Sequence, residues 1–336
     1  MALDLDTFLV AVYVIIDDLY QTDVAPHKPT RPGPKPTCSD SEVLTLVICR
    51  HWLHYSERAM GRFAAAHWHD AFPHQLSQSA FNRRARDLAG VLVHLVPLLA
   101  DALDAALRPY QVLDGVPLPL ARRCRGQYHR LFGDEASIGR GGSDRDWYFG
   151  CQLWLAVTDD GVITGFLLAP ASCEGRWVAD AFLCWRHDLL VTPWQAEDIP
   201  AERRWYKHYR GPTGPIWPRD GVGEPNPTLY LADDGLAGRV WLPHWQHDYD
   251  AVVLTKRALG KPAQTQAARQ QHCGWRQIVE TVGQTLIDVF GLRYPVAKTR
   301  WGLLMQVAAK LVAHNLGIWL NRACRRHDLA MATLIA

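Results

Sequence analysis

The stretch Thr228-Leu229-Tyr230-Leu231-Ala232-Asp233-Asp234-Gly235 decides how the second half of the chain is interpreted. Its apolar run, followed by two aspartates and a glycine, predicts a short buried strand that ends on a carboxylate at the rim of a sheet. Gly235 permits a sharp turn there, because glycine has no Cβ. Carboxylates at such a rim bind hard cations such as Mg²⁺ through oxygen. Since many strands end on an aspartate in a solvated turn, a metal site requires matching acids elsewhere.

Two further acids stand in suitable places. Residues 110–116 form a second apolar run that ends on Asp114 and a glycine, and they predict another strand. From residue 274 apolar side chains recur at helical spacing, and Glu280 lies off that apolar stripe. Asp114, Asp233 and Glu280 are far apart in the sequence, so only the fold can bring them together. Carboxylates of this kind can hold two metal ions that activate a water or a 3′-hydroxyl for in-line phosphoryl displacement.

The segments between these acids predict an α/β arrangement. Residues 147–157 and 162–169 are strand-like, and the Asp-Gly pair at 160–161 that joins them is typical of a hairpin. The remaining predictions, in chain order, are a helix at 177–190, an insertion or long loop at about 191–226, a strand at 250–255, a loop at 256–274 and a final helix at 300–326.

Residues 1–108 predict an all-helical domain. One helix is expected at 4–20, a second begins at the capping box Ser39–Glu42, and a third begins at Ser77. The first turns of that third helix carry four polar or basic side chains, namely Asn82, Arg83, Arg84 and Arg86. A helix that is basic at its start and apolar behind suits DNA binding. A solvated first turn explains the same residues equally well.

Composition narrows the function classes. The 336-residue chain is 48% hydrophobic and 21% charged, which is typical of a soluble globular protein. No run of about 18 apolar residues predicts a membrane span, and acids near the start argue against an export signal. Eight scattered cysteines without a CxxC pair predict neither a zinc site nor a disulfide framework, so a reducing cytoplasm is expected. Net charge is only +2, but basic clusters such as Arg122, Arg123, Arg125 and Arg130 could neutralise phosphates.

Several motifs, in this order, carry a family resemblance: Ser39–Leu46, Gln78–Arg84, Leu113–Pro119, Arg130–Gly133 with Trp147–Gly150, Leu231–Gly235, Arg276–Val282, Ala297–Thr299 and Ala309–Leu316. The chain resembles the DDE transposases of bacterial insertion sequences, which have an RNase H-like catalytic core. The resemblance covers most of the chain. It implies an RNase H-like mixed sheet flanked by helices in residues 109–336, preceded by a helical, DNA-binding domain in residues 1–108.

The resemblance also implies a chemistry and its residues. Asp114 is expected to bridge two Mg²⁺ ions, for which Mn²⁺ can substitute, while Asp233 and Glu280 each complete one. The expected activity is strand cleavage at element ends and strand transfer on double-stranded DNA, by a homo-oligomer in the bacterial cytoplasm without membrane contact. The expected DNA contacts are Asn82, Arg83, Arg84, Arg86, Arg122, Arg123, Arg125, Arg130, Lys256, Arg257 and Lys298.

Two other functions remain open at this point. One is an RNase H-like nuclease that cuts DNA without joining it. The other is a catalytically inactive, decayed transposase that still binds DNA. Inverted repeats in the DNA that flanks the gene would favour the transposase. The residues predict neither the repeat sequence, the target preference, the excision route nor the size of the oligomer.

Overall fold

The structure is a computed structural model that describes residues 2–28, 36–74, 76–126, 131–141, 146–187, 229–257 and 266–335. The predicted insertion at about 191–226 and the predicted DNA contact Arg130 lie outside these residues. The chain forms two compact units. We call them the helical unit (Met1–Leu99, Thr285–Leu292 and Thr299–Ala336) and the sheet unit (Ala100–Gln284 and Arg293–Lys298).

Among the described residues, the helical unit contains the α-helices α1 (Leu5–Leu19), α2 (Asp40–Trp52), α3 (Glu57–His67), α4 (Gln78–Asp87), α5 (Ala89–Ala102, up to Leu99) and α10 (Arg300–Ala323), together with the last turn of a helix that begins outside it. The predicted capping box opens α2, where the Ser39 hydroxyl accepts a hydrogen bond from the Glu42 N–H at 3.1 Å and the Glu42 carboxylate accepts one from the Ser39 N–H. The helix predicted to run on from Ser77 is interrupted at Leu88, so the basic turns and the apolar turns belong to different helices.

Helix α10 is the central helix of this unit. It is long and apolar enough to cross a membrane, but 89% of its most apolar window is buried inside the protein, as in a core helix. Lys310 emerges from it towards the end of α9 (Gln266–Asp288), where its ammonium group donates hydrogen bonds to the carbonyls of Phe290 and Gly291. These donors satisfy carbonyls that a helix end leaves without intrahelical partners.

The sheet unit is built on a six-stranded mixed sheet: β1 (Gln111–Arg122), β2 (Ser137–Gly141), β3 (Asp146–Thr158), β4 (Ile163–Pro170), β5 (Leu229–Ala232) and β6 (Val252–Thr255). Strand β3 is antiparallel to β1 on one side and to β2 and β4 on the other. Strand β5 lies parallel to β1 and to β6. The predicted α/β class is therefore confirmed, as is the hairpin between β3 and β4.

Strand β1 differs from its prediction. It does not end at Asp114 but continues to Arg122, because it pairs with β3 from Gln111 opposite Thr158 to Arg122 opposite Tyr148. Gly115 serves this pairing rather than a turn. A Cβ at Gly115 would lie 3.1 Å from the Trp154 ring, which packs across the neighbouring strand. Asp114 thus lies within a strand, where it pairs with Leu155 of β3, one residue beyond the last pair with β5.

In the part of the sheet unit that the structure describes, the α-helices beside the sheet are the short α6 (Arg123–Gly126), α7 (Gly175–Arg186), α8 (Trp241–Tyr249) and α9 (Gln266–Asp288). Helix α9 begins at Gln266, so the loop predicted for residues 256–274 is wrong for its second half. The residues at the start of α9 are polar but favour helix by intrinsic propensity, and a search for an apolar stripe misses them.

The compact units do not follow a single boundary at residue 108. The chain returns to the helical unit after residue 284, because the last turn of α9 and most of α10 are buried among its apolar side chains. The assignment of residues 1–108 as a DNA-binding domain and of 109–336 as a catalytic domain stays a prediction.

Candidate active site

Asp114 and Asp233 lie side by side at one end of the parallel strand pair. Leu113 of β1 is opposite Ala232, the last residue of β5, so the next residue on each strand is an aspartate. Asp233 then caps a single helical turn, and its carboxylate accepts a hydrogen bond from the Gly235 N–H at 3.4 Å. The sheet register therefore brings together two acids that are far apart in the sequence.

One arginine lies between the two carboxylates. The Arg276 Nη2 is 2.7 Å from an Asp114 carboxylate oxygen, and its Nη1 is 3.5 Å from one of Asp233. The Arg276 side chain is only 14% exposed, whereas that of Asp233 is 63% exposed. A single positive charge thus faces a pair of acids, one partly buried and one at the surface.

Nearby positive groups compensate only in part for the burial of the negative charge on Asp114. Burial raises the pKa of this carboxyl above its ordinary value, and the nearby Asp233 adds to the increase. The Arg276 guanidinium and the Gly115 N–H, which donates at 2.8 Å, act in the opposite direction without cancelling the effect of burial. A carboxylate that burial disfavours in its charged form, beside a second acid, gains stability from further positive charge.

Glu280 stands one helical turn after Arg276 on α9. Residues four apart lie on the same face of a helix, and the next turn of this face meets β1, where a Cβ on Gly283 would lie 3.4 Å from Val116. The Glu280 side chain is exposed. In the described part of the chain no three His, Cys, Asp or Glu side chains are close enough to hold a metal ion. The structure therefore brings Asp114 and Asp233 together at Arg276 but does not bring Glu280, the expected third acid, into the same group.

The donors at this place suit a hard divalent cation. Asp114 and Asp233 offer only oxygen, and both carboxylates already point at one cationic group, Arg276. Oxygen-only sites select Mg²⁺ or Mn²⁺ over softer metals. Asp114 and Asp233 are the residues that would hold such an ion, with Glu280 as the next acid on the facing helix.

Asp234, the neighbour of Asp233, has a different partner. It accepts a hydrogen bond from the Arg257 N–H at 2.7 Å, and the Arg257 side chain lies 3.9 Å from its carboxylate. The two consecutive aspartates therefore differ in surroundings: Asp233 faces Arg276, whereas Asp234 ties the turn to the end of β6. This difference makes Asp234 a matched control for Asp233.

The predicted DNA-binding residues of α4 fall into two groups. Arg83 and Arg86 are exposed. Arg84 forms an ion pair with Asp40 and donates a hydrogen bond to the Cys38 carbonyl, while Asn82 donates one to Glu57. Arg84 and Asn82 are thus engaged within the helical unit, and Arg83 and Arg86 are the members of the predicted set that face solvent.

The other predicted DNA contacts among the described residues are exposed: Arg122, Arg123, Arg125, Lys256, Arg257 and Lys298. The sequence did not predict a role for Arg276, the arginine that contacts both Asp114 and Asp233. Its spacing of four residues before Glu280 places it on the same helix face, but this spacing does not specify Asp114 and Asp233 as its partners.

No protein-family model, no curated protein and no solved structure matches this chain.

Proposed function

We propose that this protein is a DDE-type DNA transposase with an RNase H-like core, which cleaves DNA strands at element ends and transfers them with the help of Mg²⁺. The observation that carries the proposal is the convergence of Asp114 and Asp233 on Arg276. Several of the motifs that carry the resemblance lie among the sheet unit's elements, which include, in order, β1, the β3–β4 hairpin, α7, β5, α8, β6 and α9, and this order is compatible with the proposed α/β core.

In this proposal the protein's side chains bind the divalent cation and orient the DNA. Asp114, fixed inside β1, and Asp233, at the end of β5, hold the cation-binding position, and Glu280 approaches from α9. Bound Mg²⁺ would supply the charge that activates an attacking oxygen and stabilises the leaving oxygen in phosphoryl transfer. Arg276 holds the two acids together by charge and, being cationic, can also contact a DNA phosphate. Exposed bases, including Arg83, Arg86, Lys256 and Lys298, would position the duplex through its phosphates.

The test uses the full-length protein and a supercoiled plasmid that carries the gene with its natural flanking DNA. We expect nicking at defined positions in the flanks with Mg²⁺ or Mn²⁺, binding with little cutting in Ca²⁺, and no cutting with a chelator. Asp114→Asn should abolish nicking, whereas the matched variant Asp234→Asn should retain it. Cleavage in the presence of a chelator would refute the metal-dependent mechanism.

The same reactions separate the alternatives. Joined products between the flanks and a second plasmid identify a transposase, while nicks without joining identify a nuclease. Specific binding with neither product, at any divalent cation, identifies an inactive DNA-binding protein.

A further inference from the structure

The far end of β1 carries exposed aromatic rings beside arginines. Arg122 pairs with Tyr148, and Trp147 is the preceding residue on β3. Because successive side chains of a strand alternate between faces, Tyr148 is buried and Trp147 points outwards, with 51% of its surface exposed.

Arg123 makes this tryptophan a charged aromatic platform. Its guanidinium lies 5.0 Å from the centre of the Trp147 ring, a cation–π geometry. Arg123 belongs to the short helix α6, which packs tightly on β3, since a Cβ on Gly126 would lie 2.4 Å from the Phe149 Cβ. The arginine and the ring are therefore presented together by well-packed backbone.

Tyr294 supplies a second exposed ring at the same end of β1. It is 50% exposed and has a φ of 52°, in the left-handed region that bulky residues rarely adopt. Its N–H donates a hydrogen bond to the Pro119 carbonyl of β1 at 3.1 Å, which anchors this backbone conformation. Tyr294 also lines an open cavity of about 740 Å³ together with Leu120, Ala121, Arg122, Cys124 and Arg125.

The charges around these rings are mainly positive. Arg122, Arg123 and Arg125 are all exposed, and Asp146, beside Trp147, is the exposed acid next to them. Arginines attract phosphates, whereas exposed rings offer stacking surfaces that only unpaired bases can use fully. In a duplex the bases stack on one another, so the rings would contribute little.

We propose that Trp147 and Tyr294, with Arg122, Arg123 and Arg125, form a site for unpaired nucleotides of single-stranded DNA. This inference rests on the proposed function, because it specifies the form of the DNA substrate. The site is separate from the acids: Arg122 is eight residues beyond Asp114 on β1, or roughly 26 Å along a strand. That length would accommodate several nucleotides of a separated strand.

The test measures the binding of the full-length protein to a fluorescent 20-nucleotide oligo(dT) and to a 20-base-pair duplex of mixed sequence. A chelator is present throughout, so that no strand is cut. We expect Trp147→Ala and Tyr294→Ala each to weaken oligo(dT) binding by about tenfold and duplex binding by less than about twofold, as expected for lost base stacking. Tyr294→Phe, which keeps the ring, should bind oligo(dT) like the wild type.

Trp301→Ala is the matched control, because Trp301 is also exposed but belongs to α10 in the helical unit. It should leave both affinities unchanged. Failure of the wild type to bind oligo(dT), unchanged binding in both ring variants, or equal losses for oligo(dT) and duplex would each overturn the proposal. Circular dichroism shows whether each variant is folded. A variant that is not folded is replaced by Tyr294→Asn, since asparagine tolerates the left-handed backbone, or by Trp147→Gln, which also removes the ring. Because no cleavage is measured, these outcomes are independent of whether the protein is a transposase.

Discussion

Arg84 of α4 and Arg276 of α9 form similar ion pairs in very different surroundings. Both side chains are mostly buried, with 19% and 14% exposed; Arg84 binds Asp40, whereas Arg276 binds Asp114 and also lies 3.5 Å from Asp233. Asp40 has two further donors, the Tyr20 hydroxyl at 2.6 Å and the Lys28 ammonium. Burial alone would raise the pKa of Asp40, but hydrogen bonds from Lys28, Tyr20 and Arg84 outweigh it and lower that pKa.

Asp114 lacks such compensation, and burial keeps its pKa raised despite Arg276. The comparison teaches how to separate a structural ion pair from a site. A carboxylate whose charge is satisfied on all sides fastens two helices, while one that remains short of positive charge beside a second acid is suited to bind a cation. The following predictions test whether this difference has functional consequences.

The largest effect is expected on DNA cleavage. Asp114→Asn and Asp233→Asn should each lower the nicking rate by about a thousandfold, because a metal ion contributes several kcal/mol to phosphoryl transfer. Glu280→Gln should have a comparable effect if the helix carries the third acid. DNA affinity should change little, and the losses should not add in a double variant.

Asp40→Asn is the control in the nicking assay, because Asp40 is the aspartate of the structural ion pair. It removes a well-compensated carboxylate in the helical unit, so it should lower stability but leave the nicking rate of the folded protein within about twofold. A thousandfold loss in Asp40→Asn, or normal nicking by Asp114→Asn, would remove the distinction between the two aspartates.

Mg²⁺ should offset the destabilisation caused by the loss of Arg276 but not that caused by the loss of Arg84. Arg84→Gln and Arg276→Gln each remove charged hydrogen bonds to a partly buried carboxylate, so each should lower the free energy of unfolding by roughly 1–3 kcal/mol without metal. Saturating Mg²⁺ should restore Arg276→Gln, because the ion binds the folded state at the vacated position. Arg84→Gln keeps the intact acid pair, so Mg²⁺ should stabilise it only as much as it stabilises the wild type, and its deficit relative to the wild type should remain. Thermal unfolding with and without Mg²⁺ measures both, and equal responses would contradict the comparison.

A smaller effect is expected in the pH dependence of stability. Because the folded-state pKa of Asp114 is raised, the wild type gains stability as pH falls from neutral through that pKa towards 3.8, the ordinary value. Asp114→Asn lacks this contribution, so its Tm should exceed that of the wild type by a few degrees at pH 7 and by nothing near pH 4.

Asp40→Asn should show the opposite sign. The lowered pKa of Asp40 stabilises the fold above the ordinary value of 3.8 and is lost as pH falls through the folded-state pKa. The Tm of this variant should therefore be below that of the wild type at pH 7, and the difference should close only in strong acid. The same sign for both variants would show that the two aspartates are equivalent.

The smallest effect is expected at the surface of α4. Arg83→Gln and Arg86→Gln should each weaken duplex binding modestly and reduce the slope of log K against log salt by about one, the value for one lost phosphate contact. Neither change should affect thermal stability, because both side chains are exposed. An unchanged salt slope in both variants would show that α4 does not bind phosphates.

The parts of this molecule that local patterns determine could be predicted from the sequence. The Ser39 capping box, the Asp160-Gly161 hairpin and the apolar stripes of α1 and α10 each specify an element through neighbours a few residues away. The apolar runs predicted that Asp114 and Asp233 each follow a strand, whereas their shared site was implied by the family resemblance rather than by any local pattern.

Features set by distant partners could not be predicted in this way. The continuation of β1 to Arg122 depends on pairing with β3, and the break at Leu88 is hidden within a continuous apolar pattern. The role of Arg276 becomes visible only when α9 is placed beside β1, since nothing in its local sequence specifies two carboxylates as partners. In the same way, the sequence of α4 does not show that Arg84 pairs with Asp40 while Arg83 faces solvent, because this depends on where the fold places Asp40.

The most direct test of the central claim is the affinity of the metal-free protein for Mn²⁺, measured by titration calorimetry or by electron paramagnetic resonance. If Asp114 and Asp233 hold a cation, the wild type and Asp234→Asn should bind Mn²⁺ equally well. Asp114→Asn and Asp233→Asn should bind it at least about tenfold more weakly. Equal Mn²⁺ affinity in the wild type and Asp233→Asn, or a loss in Asp234→Asn as large as that in Asp233→Asn, would contradict the assignment of this site.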